Sequence, residues 1–445
     1  MTDISLVGRP SQDAAGRTPP GGTALALCGR AAQIMLITLA AAIPAACTAA
    51  ALMLVRGRAA GRRYAYRRIA RLLMALGPTF VKAGQVLGTR RDVLPAGLCD
   101  ELSVLQDTVA PLDSRQAAQA LADCYGQPGT VFSAVDDEPV ASGSVASVYR
   151  ATLIGGREVA IKLRRPGIEA VMRADLGLIR RGAAVAARLP AFRGVPVSAV
   201  IGAMGEAVLG QLDFAREARS LSRLRQNLAV VPRVWVPRVL AEQSRPGCIV
   251  MEFIPGLDTG VAARCPAAMR RRFAASALVA IYQMLFVDGF VHCDMHPGNL
   301  YFTREGQVVV LDAGFSVQLT ERLRRLFAEF FLNMAIGRGG RCAEIVVESS
   351  AGWREDADLK GFLAAMADLV HRSHGLSAKD FSLMAFATEM FDLQRKHGIH
   401  AAAELIFPLL SLLVIEGTIR DLDPDIDFQE TARPVLSRGL FSADR

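Results

Sequence analysis

Three side chains between Gly289 and Phe315, in GFVHCDMHPGNLYFTREGQVVVLDAGF, have the types and spacing for chemistry on a phosphate. Asp294 is followed by Asn299 and then by Asp312. One carboxylate can accept a nucleophile's proton. An amide and a second carboxylate can hold the metal ions that bridge phosphates. The apolar run Val308-Val309-Val310-Leu311 reads as a buried strand delivering Asp312, with a hairpin turn at Gly306 before it. A lone His-x-Asp after a buried helix is as easily a polar turn. The whole ordered set, with a strand between its parts, makes coincidence a poor explanation.

The spacing H-x-D-x-x-x-x-N followed by D-x-G is the catalytic-loop pattern of kinases, so a phosphate-holding half should precede it. Short strands begin near Val131. Val159-Ala160-Ile161-Lys162 comes after a Gly155-Gly156 turn and places Lys162 at the end of a buried strand, in reach of α- and β-phosphates. Such a lysine needs a carboxylate to stay charged and aimed. Glu217, in QLDFAREA, is the candidate, on a helix expected from about Ser198 to Arg225; the competing role is a solvated helix residue. A further helix, Gly167 to Leu189, fills the long interval. In PVASGSVASVY the small residues Ala141, Ser142, Gly143, Ser144, Val145, Ala146 and Ser147 would let backbone approach a nucleotide closely. That signal is weak by itself, since Ser/Ala/Gly turns are common. Val250 to Gly256 reads as a strand and hinge, with Glu252 and Ile254 where backbone would meet adenine. A helix Met269 to Asp288, capped by Gly289, leads into the catalytic stretch.

The 445 residues suit two or three packed units, and 51% hydrophobic against 21% charged composition leans towards a membrane-associated protein. The net charge of +8 is local: ten Lys or Arg and no acid lie between Arg56 and Arg91. That argues against a nucleic-acid binder, which needs a basic face across its fold. Eight scattered cysteines show neither CxxC pairs nor zinc spacing, which suggests reduced thiols in the cytoplasm. Residues 1–30 read as a disordered lead-in. Ala31 to Val55 is an uncharged run of 25 residues, interrupted by Pro44, and can cross ~30 Å of hydrocarbon. Arg56, Arg58, Arg62 and Arg63 then place the C-terminal side of the run in the cytoplasm. A cleaved signal peptide and an Ala-rich buried helix compete with a membrane anchor. The run is too long for a signal h-region, and the anchor is the preferred reading.

Leu76 to Pro111 looks helical in two pieces broken at Pro95, with Lys82-Ala83-Gly84-Gln85 interrupting an apolar face. This KxGQ segment and the kinase-like set together resemble the UbiB/AarF family of atypical, protein-kinase-like proteins associated with ubiquinone biosynthesis. The resemblance covers roughly residues 70 to 430. It implies an N-terminal extension folded over the nucleotide cleft, extra N-lobe helices, and regulatory roles for Lys82, Gln85, Gln211 and Asp213. His296-Pro297-Gly298-Asn299 fits this family and also antibiotic and choline kinases. Several positions depart from the family pattern. Gly143 and Ser147 imply a more flexible loop. Gln211 stands where an acid opens ExD, with Asp213 kept. Cys293 replaces the Arg of HRD, and Ala313 the Phe of DFG, so activation-loop control is expected to be absent. His292 is expected as a structural hydrogen bonder and not as half of a metal pair with His296. Helices are expected at about Thr320–Ile336, Arg341–Ser350, Asp358–His371, Ala378–His397 and Ala401–Arg420, with the apolar run Leu405 to Ile415 in the core. The C-terminal membrane helices of many relatives are not expected here, which leaves the N-terminal run as anchor.

The expected fold is α+β: a two-lobed protein-kinase-like fold with extra N-terminal helices, preceded by one transmembrane helix. Its units are a lead-in (1–30), an anchor (31–55), a helical extension carrying KxGQ (56–130), an N-lobe (131–254) and a helical C-lobe (255–445). Asp294 would be the base, Asn299 and Asp312 the Mg2+ ligands, and Lys162 with Glu217 the phosphate side of an ATP site. Expected partners are membrane lipid, a prenylated quinone precursor and a biosynthetic enzyme complex, with no nucleic acid, at the cytoplasmic face of the inner membrane. An ATPase or kinase supporting prenyl-lipid synthesis competes with a catalytically weak nucleotide-binding scaffold. A phosphotransferase for an antibiotic or amino alcohol is a third reading, against which the KxGQ segment speaks.

Overall fold

The computed structural model describes residues 22–88, 94–103, 105, 111–188, 197–258, 260–296, 298–376 and 380–441. Helices α1 (Gly22–Arg56) and α2 (Arg58–Leu76) open the chain. They turn at Gly57, whose φ of 86° suits glycine. α2 packs back along α1: a Cβ on buried Gly61 would meet the Ala49 carbonyl oxygen at 2.7 Å, so only glycine permits this approach. Of the expected lead-in, 22–30 is helical and 1–21 lies outside the described residues. Cys28–Arg56 is long and apolar enough to cross a membrane. Next come α3 (Pro78–Gly88), which carries the KxGQ motif, α4 (Ala96–Ser103) and α5 (Ser114–Tyr125), which Asp113 and Gln116 cap reciprocally.

The N-lobe sheet holds β1 (Phe132–Val135), β2 (Ala141–Ser142), β3 (Ala146–Leu153) and β4 (Glu158–Arg164). After it come α6 (Ile168–Ala186), α7 (Val197–Gly210), α8 (Phe214–Leu228), β5 (Val234–Trp235) and β6 (Cys248–Glu252). Strand order is β1-β3-β4-β6 with β2 also on β3, all antiparallel. Val159, Ile161 and Leu163 of β4 are buried with Leu121 of α5 and Val250 of β6. The two-residue period of a strand therefore turns Ala160 and Lys162 to the opposite face. The single helix expected over Ser198–Arg225 is two. Gln211 to Asp213 breaks it, because the Asp213 carboxylate accepts the Arg216 N–H at 2.9 Å and caps a new helix, α8.

The C-lobe begins with α9 (Val261–Arg264) and α10 (Ala267–Tyr282), which runs into a π-helical turn, Gln283–Asp288. Gly289 ends it with φ 61°. Four short strands come next: β7 (Phe290–His292), β8 (Leu300–Phe302), β9 (Val308–Val310) and β10 (Ser316–Gln318). β7 pairs with β10, and β9 lies between β8 and β5. The rest is α11 (Glu321–Ala335), α12 (Gly339–Glu348), β11 (Ser350–Trp353), α13 (Leu359–Ser373), α14 (Leu383–His397), β12 (Ile399–Ala401), α15 (Ala403–Leu422) and α16 (Phe428–Phe441). The two strands of this part and α16 were not expected.

Buried α10, α11, α13, α14, α15 and α16 share one apolar core with β8 and β9. Two buried charges organise it. Arg324 of α11 pairs with Glu321 and donates to the carbonyls of Phe286 and Gly439, which ties the π turn to α16. Glu416 of α15 accepts the first N–H groups of α14, Leu383 at 3.0 Å and Met384 at 2.7 Å, and pairs with Arg420.

Candidate phosphoryl-transfer site

Lys162, on the cleft face of β4, is the centre of an ion triad. Its Nζ donates to Glu217 Oε1 at 2.6 Å and to Asp312 Oδ2 at 2.9 Å. Glu217 stands in the first turn of α8 and is 1% exposed. Burial, with repulsion from Asp312, pushes its pKa up to about 7, against the pull of Lys162. Burial works against the charge on Lys162, but Asp312 and Glu217 hold its pKa above the ordinary value. Partial withdrawal from water favours the neutral form of Asp312, whose side chain is still 44% exposed. The ammonium of Lys162 and the Gly314 N–H, 3.1 Å from Oδ1, outweigh this and hold it well below the usual carboxylate range. Asp312 has φ 52°, one of two non-glycine residues with positive φ among those described. Backbone strain of that kind concentrates at functional sites.

The loop carrying Asp294 is fixed by its neighbours. His292, fully buried on β7, accepts the Asp294 N–H at Nδ1 (3.1 Å), so its Nε2–H donates to the Leu311 carbonyl (3.0 Å). Both ring nitrogens are committed, which leaves no His292–His296 metal pair. Ser411 of α15 donates to the His292 carbonyl at 2.7 Å, and the Cys293 N–H to that of Phe315. Asn299 donates from its side-chain Nδ2 to the Asp294 carbonyl at 2.9 Å and accepts the Leu311 N–H on its main-chain carbonyl at 2.8 Å. Asp294 and Asp312 are thus bound to one small frame. The Asp294 side chain is 39% exposed, with His296 Nε2 at 3.6 Å.

These groups line a cleft of about 590 Å³ between the lobes, within the usual size of a small-molecule site. Ala141 to Ala146 line one wall, with Phe253 and Ile254 at the hinge. Ser147 is buried behind the wall, its hydroxyl 3.1 Å from that of Ser142. Gly143 has an ordinary φ, and a Cβ there would meet only the Ala146 oxygen at 3.7 Å. Arg165 fastens the loop, donating to the Gly143 carbonyl (2.9 Å) and the Ser142 hydroxyl (2.8 Å). The loop is therefore held more firmly than its composition suggests.

Glu252 borders the cleft, but its carboxylate accepts from the Trp235 indole (3.3 Å) and the Arg238 N–H (3.1 Å). Of the four residues expected to regulate, Lys82 and Gln211 line the cleft. Gln85 instead donates to the Leu105 carbonyl at 2.8 Å, and Asp213 caps α8. Val148, Ala160, Met251, Tyr301 and Leu311 supply the apolar walls, a role that sequence patterning assigned to none of them. Nor did it single out Phe315, which lines the cleft and packs edge-on against Phe407 of α15, centroids 4.9 Å apart.

Among the described residues no group of three or more His, Cys, Asp or Glu could hold a metal by itself. Asn299 and Asp312 offer hard oxygen donors. Mg2+ ordinarily takes one or two protein oxygens and completes its shell with phosphates and water, so the donor set fits it in the company of a nucleotide.

Residues 104–346 match the family model of the ABC1 atypical kinase-like domain, and 366–427 that of the UbiB helical domain. A relative from Pseudomonas fluorescens (strain SBW25), named "Probable protein kinase UbiB", is 34% identical over 84% of this chain and 71% of its own length. Its counterpart from Azotobacter vinelandii is 33% identical over 85% and 72%. Among solved structures, Rv3197 of Mycobacterium tuberculosis, in complex with erythromycin, aligns with a TM-score of 0.52. That alignment covers 80% of this chain and 90% of that one at 22% identity, a likeness of fold.

Proposed function

The chain belongs to the UbiB family of ABC1 atypical kinase-like proteins, and from that premise we propose a membrane-tethered ATPase or kinase that binds Mg-ATP. Its work would support ubiquinone or related prenyl-lipid biosynthesis at the cytoplasmic face of the inner membrane, with α1 as the tether. The observation that carries this reading is the Lys162–Glu217–Asp312 triad, in one cleft with Asp294 and Asn299. A lysine held charged by two carboxylates is suited to α- and β-phosphates. Asp312 and Asn299 would hold Mg2+, which supplies charge neutralisation across the phosphates. Asp294 would take the proton of the attacking hydroxyl or water. The apolar walls would receive the base, with the loop Ala141 to Ala146 over the phosphates. Lys82 of α3 reaches the same cleft, so the helical extension would restrict which acceptor enters. A prenylated quinone precursor is the acceptor or effector class this setting favours, within a biosynthetic enzyme complex.

A second reading, a nucleotide-binding scaffold with little turnover, draws support from Gln211. A neutral amide lines the cleft where the family resemblance implies an acid. ATP hydrolysis by purified protein with Mg2+, with and without a prenylated phenol, separates the two. Turnover raised by the phenol supports the enzyme. Tight nucleotide binding with no turnover under any condition supports the scaffold.

A further inference from the structure

Composition alone allows α1 to cross a bilayer once, but the contacts of Arg30 near its N-terminal end conflict with a single crossing. Arg30 lies before the apolar run. Its guanidinium pairs with both carboxylate oxygens of Asp175 on α6, at 2.8 and 2.9 Å, and donates to the Leu76 carbonyl at the end of α2. Leu76 and Asp175 both lie after the run. A single crossing would put Arg30 on one side of the membrane and its partners on the other. Asp175 is fully buried, so separating the pair would strand a carboxylate in the N-lobe. A double crossing fares no better. α2 lies along α1 and bears exposed Arg58, Arg62, Arg63 and Arg71 with no acid, and arginines at hydrocarbon depth are costly.

We propose that α1 and α2 form a hairpin lying in the plane of the membrane, seated from the cytoplasmic side on a leaflet containing anionic lipid. The exposure pattern fits this partner. Along α1 the residues Ile34, Ile37, Ala41, Ala45 and Ala49 are partly or fully covered at helical spacing, while Met35, Leu36, Leu39, Ile43, Leu54 and Val55 are exposed. The free apolar surface suits the acyl boundary, and the arginines of α2 suit anionic headgroups. Arg30 joins this hairpin to α6, so the membrane-bound element and the N-lobe form one packed unit. The inference rests on the membrane tether proposed above and specifies its geometry.

The test uses two full-length proteins: one keeps exposed Cys28, before the apolar run, with Cys47→Ser, and the other carries Arg58→Cys at the hairpin turn with Cys28→Ser and Cys47→Ser; the protein with both cysteines replaced and Arg58 kept gives the baseline. A membrane-impermeant maleimide is applied to right-side-out membrane vesicles of the expression host, then to inverted ones. The in-plane hairpin gives labelling in inverted vesicles only. Labelling in right-side-out vesicles overturns it, because that end has crossed: Cys28 in a single crossing, the turn in a double one. Absence of labelling in both also overturns it, because the turn then lies within hydrocarbon. Protein missing from the membrane fraction altogether counts against the tether itself, a separate failure. In a second measurement, purified full chain is floated with phosphatidylglycerol/phosphatidylcholine vesicles. The triple substitution Arg58→Gln, Arg62→Gln and Arg63→Gln should weaken binding roughly 10- to 100-fold. Unchanged binding removes the anionic-lipid part of the proposal.

Discussion

At the scale of single residues, the site rests on a lysine with two carboxylates and on the unequal state of those acids. Asp312 is held ionised, while burial raises Glu217 to about 7. A cation at Asp312 would cancel the repulsion that helps to raise Glu217, whose pKa should then fall. We therefore expect Mg-nucleotide binding near pH 7 to release protons. Calorimetric titration in two buffers of different ionisation enthalpy reads this directly, with Glu217→Gln subtracting the nucleotide's own titration. Equal release by the wild type and Glu217→Gln contradicts the assignment. The linkage has a defined sign in the unliganded protein. A folded pKa raised from 4.5 to about 7 gives stability that is complete below pH 4.5 and is lost as pH rises through 7. Asp294, Asn299, Asp312 and Lys162 could be picked out from the sequence because each sits in a short motif with fixed spacing. The apolar walls and the Arg165 clamp could not, since those residue types are common and their contacts cross elements.

At the scale of elements, the loop carrying Asp294 is held from below by helices that sequence patterning placed well but could not connect. The helical spans expected after Phe315 located α11, α13, α14 and α15 within a few residues. It did not disclose that Arg324 would bind the π turn to α16, or that Phe407 would meet Phe315. Arg324→Ala removes a buried cation from two carbonyls and should cost about 3 kcal/mol, read as a lower denaturation midpoint. The loss should be accompanied by faster amide exchange in β7 than in β3. Unchanged exchange in β7 would show that the turn does not support the loop. Phe407→Ala opens a cavity behind Phe315, and Phe→Ala in a core costs about 3–5 kcal/mol. Phe407→Leu, which keeps most of the volume, should restore stability. Equal midpoints for the two variants would contradict the packing role. The break at Gln211 to Asp213 was missed for a local reason: the cap at Asp213 satisfies N–H groups and competes with helix continuation, while the hydrophobic pattern runs on.

At the scale of the whole molecule, the fold class was legible from the order of motifs, and the placement of the N-terminal arm was not. Hydropathy marks α1 as apolar but carries no information about Arg30 reaching Asp175 across the fold. Removing residues 1–55 should move the protein from the membrane to the soluble fraction and also leave Asp175 unpaired. The truncated protein should therefore melt lower than full length, and Asp175→Asn in the truncated chain should recover part of the loss. Equal melting of the two truncated proteins would mean that the arm does not brace the N-lobe.

We propose that Asp294, Asn299, Asp312 and Lys162 form one Mg2+-dependent phosphoryl-transfer site. It is tested most directly by measuring nucleotide binding and ATP hydrolysis side by side in the wild type, Asp294→Asn and Asp312→Asn. We expect Asp294→Asn to bind Mg-ATP nearly as the wild type does while turning over at least about 100-fold more slowly, in keeping with the loss of a general base. Asp312→Asn should lose the Mg2+ dependence of binding as well as turnover. Equal turnover in all three proteins would contradict the site.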